Sequence, residues 1–238
     1  MNSVSERGLY ILAAGILLGL AVLGYLLKEG VHSFKQYERS VTVRGLAEQE
    51  HLADIVIWPI RFTETSNDLE EIYQKLEDSG GKIVRFLEAN GVDSEEITVA
   101  APIVTDRSAQ VYGESNYPFR YVATQTVTVY STAVEAVRSI MNDMVDLGKQ
   151  GVTIAGDEYM DRTEYLFTRL NDIKPEMIEA ATREARKVAE KFAEDSDSRL
   201  GKIKTASQGQ FSIAPRDNNN PHIKNVRVVS TIVYYLSD

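Results

Sequence analysis

YVATQTVTVY, residues 121–130, decides the class of fold: Tyr121, Ala123, Val127 and Val129 alternate with Val122, Thr124, Thr126 and Thr128. A period of two, carried by β-branched and aromatic residues, is the signature of a strand with one dry and one wet face. The stretch predicts an antiparallel hairpin with the segment before it, near Ile97–Thr105. A half-buried sheet of this kind needs helices on its dry face.

The neighbouring segments supply them. Strand-like alternation covers Glu38–Ala47 and Ala53–Thr63. Asn67 then stands where it can cap a helix whose apolar residues Leu69, Ile72, Leu76, Ile83 and Leu87 share one face and whose end is marked by Asn90-Gly91. On the other side of the 121–130 strand, Thr132-Ala133-Val134-Glu135 has the spacing of a capping box, and Val134, Val137, Met141 and Met144 follow at helical intervals up to Leu147-Gly148. A strand over Asp157–Thr168 precedes the longest helix, Asn171–Asp195, whose predicted buried stripe is Met177, Ala181, Ala185, Val188 and Phe192. Two last strands, Lys202–Ser212 and Val226–Leu236, are joined by APRDNNNPHIKN, a turn-rich loop expected to be mobile. The order ββαββαβαββ contains a split βαββαβ core, so the expected fold is α+β, a largely antiparallel sheet with helices packed on one face.

Before this body stands GLYILAAGILLGLAVLGYLL, residues 8–27, twenty residues without a charge. As a helix it is about 30 Å long, the thickness of a bilayer core. A cleavable signal has a shorter apolar region closed by a small-x-small site; the exit here, Tyr25-Leu26-Leu27-Lys28-Glu29, lacks one. The segment therefore reads as an uncleaved transmembrane anchor, with a cleaved signal as the alternative. The implied organisation is an N-terminal tail (1–7), the anchor (8–27), a juxtamembrane linker (28–39) and an α+β domain (40–238). Charge around the segment, Arg7 before it and Lys28, Lys35, Arg39 and Arg44 after it, favours a cytoplasmic body, although long domains translocate largely regardless of charge.

The 238-residue chain carries 26 Lys plus Arg against 35 Asp plus Glu, a net charge of −9. An acidic body is a poor partner for nucleic acid. Cysteine is absent, which excludes disulfides, thiolate catalysis and cysteine-based metal sites. His32, His51 and His222 do not share ligand spacing, and neither a Gly-x-Ser-x-Gly nucleophile motif nor a phosphate-binding loop occurs. No catalytic residue, cofactor or metal is therefore expected, and the chain does not read as an enzyme. Asp157-Glu158 with Asp161 reads as a solvated edge, and Asp54, a charge in an apolar strand, reads as a structural hydrogen bond across the first hairpin. Arg183, Arg186, Lys187 and Lys191 alternate with Glu179, Glu184, Glu190 and Glu194, a salt-bridged helix surface.

The more informative candidates concern association. Gly15 and Gly19 form a Gly-x-x-x-Gly that lets helix backbones approach closely, a pattern also common in membrane helices generally. TDRSAQVYGESNYPF, residues 105–119, sets Tyr112, Tyr117 and Phe119 among polar residues, either as an interface or as a cover over its own hairpin.

Several stretches, SVTVRGLAEQEHLADIVIWPIRF, FLEANGVDSEEITVAAPIV, PFRYVATQTVTVYS, IKPEMIEAATREARKVAEKFAEDSDSRLGKI and VRVVSTIVYYL, in this order and spacing, resemble the SIMPL-domain family of bacterial envelope proteins. The similarity runs from about Ser40 to the C-terminus. It implies an α+β domain in the periplasm or outside the cell, assembly into homo-oligomers including rings, a link to envelope stress, and no shared catalytic site or cofactor. It turns the expected orientation against the charge count: a single-pass protein of the inner membrane, contacting lipid through residues 8–27 and other copies of itself through the body. The runner-up is a membrane-bound hydrolase or ligand-binding protein that uses an acidic cleft.

Overall fold

The computed structural model describes residues 6–36, 39–110, 118–156 and 162–237. Its elements are α1 (Glu6–Gln36), β1 (Ser40–Leu52), β2 (Ile55–Ser66), α2 (Leu69–Ala89), β3 (Ile97–Val99), β4 (Ile103–Asp106), β5 (Tyr121–Ser131), α3 (Val134–Asn142), α4 (Val145–Lys149), β6 (Glu164–Leu166), α5 (Leu170–Asp195), β7 (Arg199–Gln208), β8 (Ser212–Pro215) and β9 (Ile223–Ser237). They fall into two compact units, one of residues 1–49, 173–212 and 227–238, the other of residues 50–172 and 213–226.

The fold is α+β, with two sheets where the sequence reading expected one: β1-β9-β7 with β8 on β9, and β3-β5-β2-β6 with β4 on β5. The difference originates between β1 and β2. These strands do not form the expected hairpin, because the two connecting residues are engaged elsewhere: Ala53 N–H donates to the His222 carbonyl and Asp54 N–H to that of Leu166, both at 2.8 Å.

The 50–172 unit contains the split βαββαβ pattern. β5 runs antiparallel to β2 over eleven residue pairs, from Val56 opposite Ser131 to Ser66 opposite Tyr121, and β6 pairs antiparallel with the other edge of β2. The strand expected over 97–105 is interrupted at Ala100–Pro102 into β3 and β4, both antiparallel to β5; proline cannot donate to the ladder there. The dry face carries Val56, Trp58, Ile60 and Phe62 of β2 with Ala123, Val127 and Val129 of β5, under Ile72, Leu76, Ile83 and Leu87 of α2 and Val137, Ile140 and Leu147 of the following helices. Helix α2 is capped by Asp68, whose Oδ1 accepts from the N–H groups of Glu70 and Glu71; Asn67, the expected cap, instead accepts the Arg120 N–H. Its end is as read: Gly91 has φ +91°, and Val92 N–H returns to the Leu87 carbonyl. The capping box at Thr132 does not form, since the α3 N-cap is Ala133, without a side-chain bond, and Glu135 turns to Arg138 instead.

In the other unit, Val43, Ala185, Ala189, Ile232 and Tyr234 form a small core. Helix α5 buries Met177, Ala181, Ala185, Ala189 and Ala193, a strict every-fourth-residue ridge. The expected Val188 and Phe192 are 41% and 55% exposed. The ridge is made of alanine because the sheet comes so close: a β-carbon on Gly45 would lie 2.5 Å from Ala185 N and still closer to the Ala181 carbonyl oxygen. The outer face of α5 has the expected ion pairs, including Arg186–Glu190 at 3.1 Å and Lys187–Glu184 at 2.6 Å.

α1 includes the run expected to cross a membrane. Side chains are described for Tyr10 and for residues 14–28 of this helix, and all are exposed. That described run is shorter than the roughly 20 residues a bilayer takes, and among the described residues no helix is long and apolar enough to cross a membrane. The span over Gly8–Leu27 thus rests on its sequence.

Candidate functional site

β9 begins earlier than the sequence suggested, at Ile223 rather than Val226, and its alternation extends back into the asparagine-rich segment. His222 and Lys224 therefore share the buried face of Val226 and Val228. The turn ahead of them is pinned by Asp217, whose Oδ1 accepts from the N–H groups of Asn219 and Asn220 at 2.9 and 2.8 Å and from Asn220 Nδ2 at 3.0 Å. Arg216 Nε donates to Asp217 Oδ2 at 2.9 Å. This guanidinium, with the asparagine donors, holds the Asp217 carboxyl down at about 2.

A cavity of about 990 Å³ opens beside this turn. Helix α3 turns Val134, Val137 and Ile140 to the core, which leaves Glu135, Arg138 and Asn142 on the cavity side. Arg138 Nη1 donates to both Glu135 oxygens, at 3.1 and 2.9 Å. β6 and the residues before it bring Arg162, Glu164 and Tyr165, and the third wall is Pro215, Asp217–Asn219, Pro221 and Lys224. Burial raises the Tyr165 phenol pKa, against the lowering effect of Arg138.

Two buried basic groups distinguish the site. His222, 5% exposed, has its ring edge-on to Tyr165 at 6.0 Å, and its Nε2 is 3.9 Å from Glu135 Oε1, beyond hydrogen-bond reach. Its Nδ1 has no hydrogen-bond partner among the described residues. Desolvation lowers its pKa, with the Arg138 charge adding and the Glu135 charge opposing. Lys224 is 8% exposed, lines the cavity, and is lowered by desolvation alone. The arrangement presents donors and charge to a polar molecule; among the described residues no cluster of three or more His, Cys, Asp or Glu side chains could hold a metal ion.

The residues singled out in the sequence lie elsewhere. Gly15 and Gly19 are on α1, where an added β-carbon would meet nothing within 4 Å. Phe119 is 42% exposed just ahead of β5. Tyr112, Tyr117, Asp157, Glu158 and Asp161 fall outside the described residues. His51 stacks on Phe167 with ring centroids 5.2 Å apart. Asp54 is structural, though not across a hairpin: its carboxylate accepts from Thr168 N–H at 2.9 Å and from Thr168 Oγ1 at 2.9 Å, with Arg169 at 3.4 Å.

The cavity's principal residues were not singled out from the sequence, because they come from three separated segments. The signal available was the alternation of β9 read back two steps, which places a lysine and a histidine on the buried face that continues through Val226, Val228, Ile232 and Tyr234.

Compared with known families, residues 41–229 match the model of the SIMPL family, described as a protein of unknown function (DUF541). The match covers most of the chain, so the chain belongs to the SIMPL family. No curated protein matches it significantly.

Proposed function

We propose that this SIMPL protein is a membrane-anchored component of the bacterial envelope that assembles with copies of itself and serves a structural or stress-protective role without catalysing a reaction. The observation that carries the proposal is the surface of α1. Leu17, Leu18, Leu20, Leu23 and Leu26 all lie exposed along it, although apolar side chains elsewhere form cores. A contiguous apolar surface of this size needs lipid or protein cover. The 8–27 run supplies a membrane anchor, with the acidic body in the periplasm as the family resemblance implies. Gly15 and Gly19 leave the helix open to close approach by another copy. β7 ends its sheet and is exposed along most of its length, an edge that pairing with another subunit would satisfy.

Alkaline extraction tests the anchor: the chain should stay with the membrane pellet and its intact mass should include residues 1–27. A soluble product beginning after about Gly24 would overturn it. Light scattering of a variant lacking residues 1–29 tests assembly, with an oligomer expected. A monomer there, and for the full chain in mild detergent, would remove the self-assembly reading.

A further inference from the structure

Lys224 has a strand position that suits an apolar residue. The side chains that follow it on the same face, Val226 and Val228, are wholly buried. Lys224 lines the cavity, and its amine pairs with no carboxylate among the described residues. Acids do line the same space, but two of the three are committed: Glu135 to Arg138 and Asp217 to Arg216. Among the described lining residues the remaining uncommitted charges are Lys224, Arg162 and Glu164, a balance of one positive. An unpaired buried cation with room beside it is completed by an anion from outside the chain.

We propose that this cavity binds a small polar monocarboxylate, with its carboxylate on Lys224 Nζ and its hydroxyl or amino groups on the polar wall of Asn142, Tyr165 and Asn218. The volume is in the range of small-molecule sites. Glu135 and Asp217 are compensated by Arg138 and Arg216, and Glu164 opposes a second negative charge, so the single surplus positive charge suits a singly charged acid better than a dianion such as phosphate. The Nδ1 of His222, whose ring packs edge-on against the lining residue Tyr165, has no partner among the described residues and is an additional buried polar atom that a protein-only core would not retain without cost.

The test is thermal unfolding of the full chain in mild detergent, titrated with lactate, glycolate, glycerate and inorganic phosphate against sodium chloride at equal ionic strength. A ligand of the folded state raises the midpoint in a saturable manner. At least one hydroxy acid should do so, phosphate should bind more weakly, and Lys224→Met, which removes the charge at similar volume, should abolish the response while unfolding cooperatively. Arg162→Gln should weaken the hydroxy-acid dissociation constant roughly fivefold, as loss of an exposed charge does. The proposal is overturned if none of the three acids gives a saturable rise, if Lys224→Met responds like the parent chain, or if phosphate binds more tightly than the acids.

Discussion

The carbonyl oxygen of Ala181 occupies the space that a β-carbon on Gly45 would need, so helix α5 rests on strand β1 by backbone contact. Glycine on the strand and alanine at 181, 185 and 189 on the helix are two halves of one close approach. Larger residues on either side would push the layers apart.

Gly45→Ala should accordingly destabilise the protein by roughly 2–4 kcal/mol, since the methyl group meets main chain rather than a side chain that can rotate away. Gly148→Ala is the control: it lies within α4, where an added β-carbon meets nothing within 4 Å, and it should be neutral or slightly stabilising. Denaturant midpoints of the two variants decide the matter, and equal midpoints would refute the close-packing account.

Asp54→Ala should cost about 2 kcal/mol by the same measurement. It leaves the Thr168 N–H and hydroxyl without their shared acceptor, and hydrogen bonds to a mostly buried carboxylate are among the stronger ones. Asp54→Asn keeps one acceptor oxygen and should fall between. Loss confined to Asp54→Ala with no effect of Thr168→Val would argue against the pairing.

Local periodicity made much of this fold legible. The 121–130 alternation, the α2 stripe with its Asn90-Gly91 stop and the charge ladder of α5 are each set by neighbours three or four residues away, or two in a strand. Sheet membership was not legible, because it depends on where Ala53 and Asp54 send their hydrogen bonds, to partners more than a hundred residues distant. The α5 stripe differs from the one its periodicity predicts for a related reason. Val188 and Phe192 are the more apolar residues, but a helix held at backbone distance by Gly45 buries its smallest side chains. The cavity is not legible because an asparagine-rich segment has the composition of a loop, although its last residues continue the alternation of β9.

Lys224→Met should raise stability at neutral pH by roughly 1 kcal/mol, since a desolvated charge without a partner is replaced by an apolar chain of similar length. The sign reverses the usual expectation for a core substitution. The Lys224 pKa is lowered from its ordinary 10.5, so the unfolded chain holds more protons in that window and the parent protein should gain stability as pH rises toward 10.5. The difference between parent and variant should shrink correspondingly. A variant less stable than the parent at neutral pH would show that the amine is already satisfied.

His222 gives the corresponding dependence on the acid side. Its pKa is lowered from the ordinary 6.5, chiefly by burial, with Arg138 and Arg216 reinforcing the shift and Glu135 and Asp217 opposing it. Below 6.5 the unfolded chain therefore takes up a proton that the folded imidazole resists, and stability falls as pH drops until the folded pKa is passed. The contribution is complete above 6.5. Acidic groups add a separate loss at lower pH: Glu71 is lowered from 4.5 by Ser66 and Lys75, and Asp217 lies at about 2. The interval between about pH 6.5 and pH 5 thus isolates the histidine from these groups. Denaturant midpoints measured across it should decline for the parent chain and flatten for His222→Phe, which fills the space beside Tyr165 without titrating. A slope unchanged by that substitution would assign the decline to another group and leave His222 protonated at no cost in the folded state.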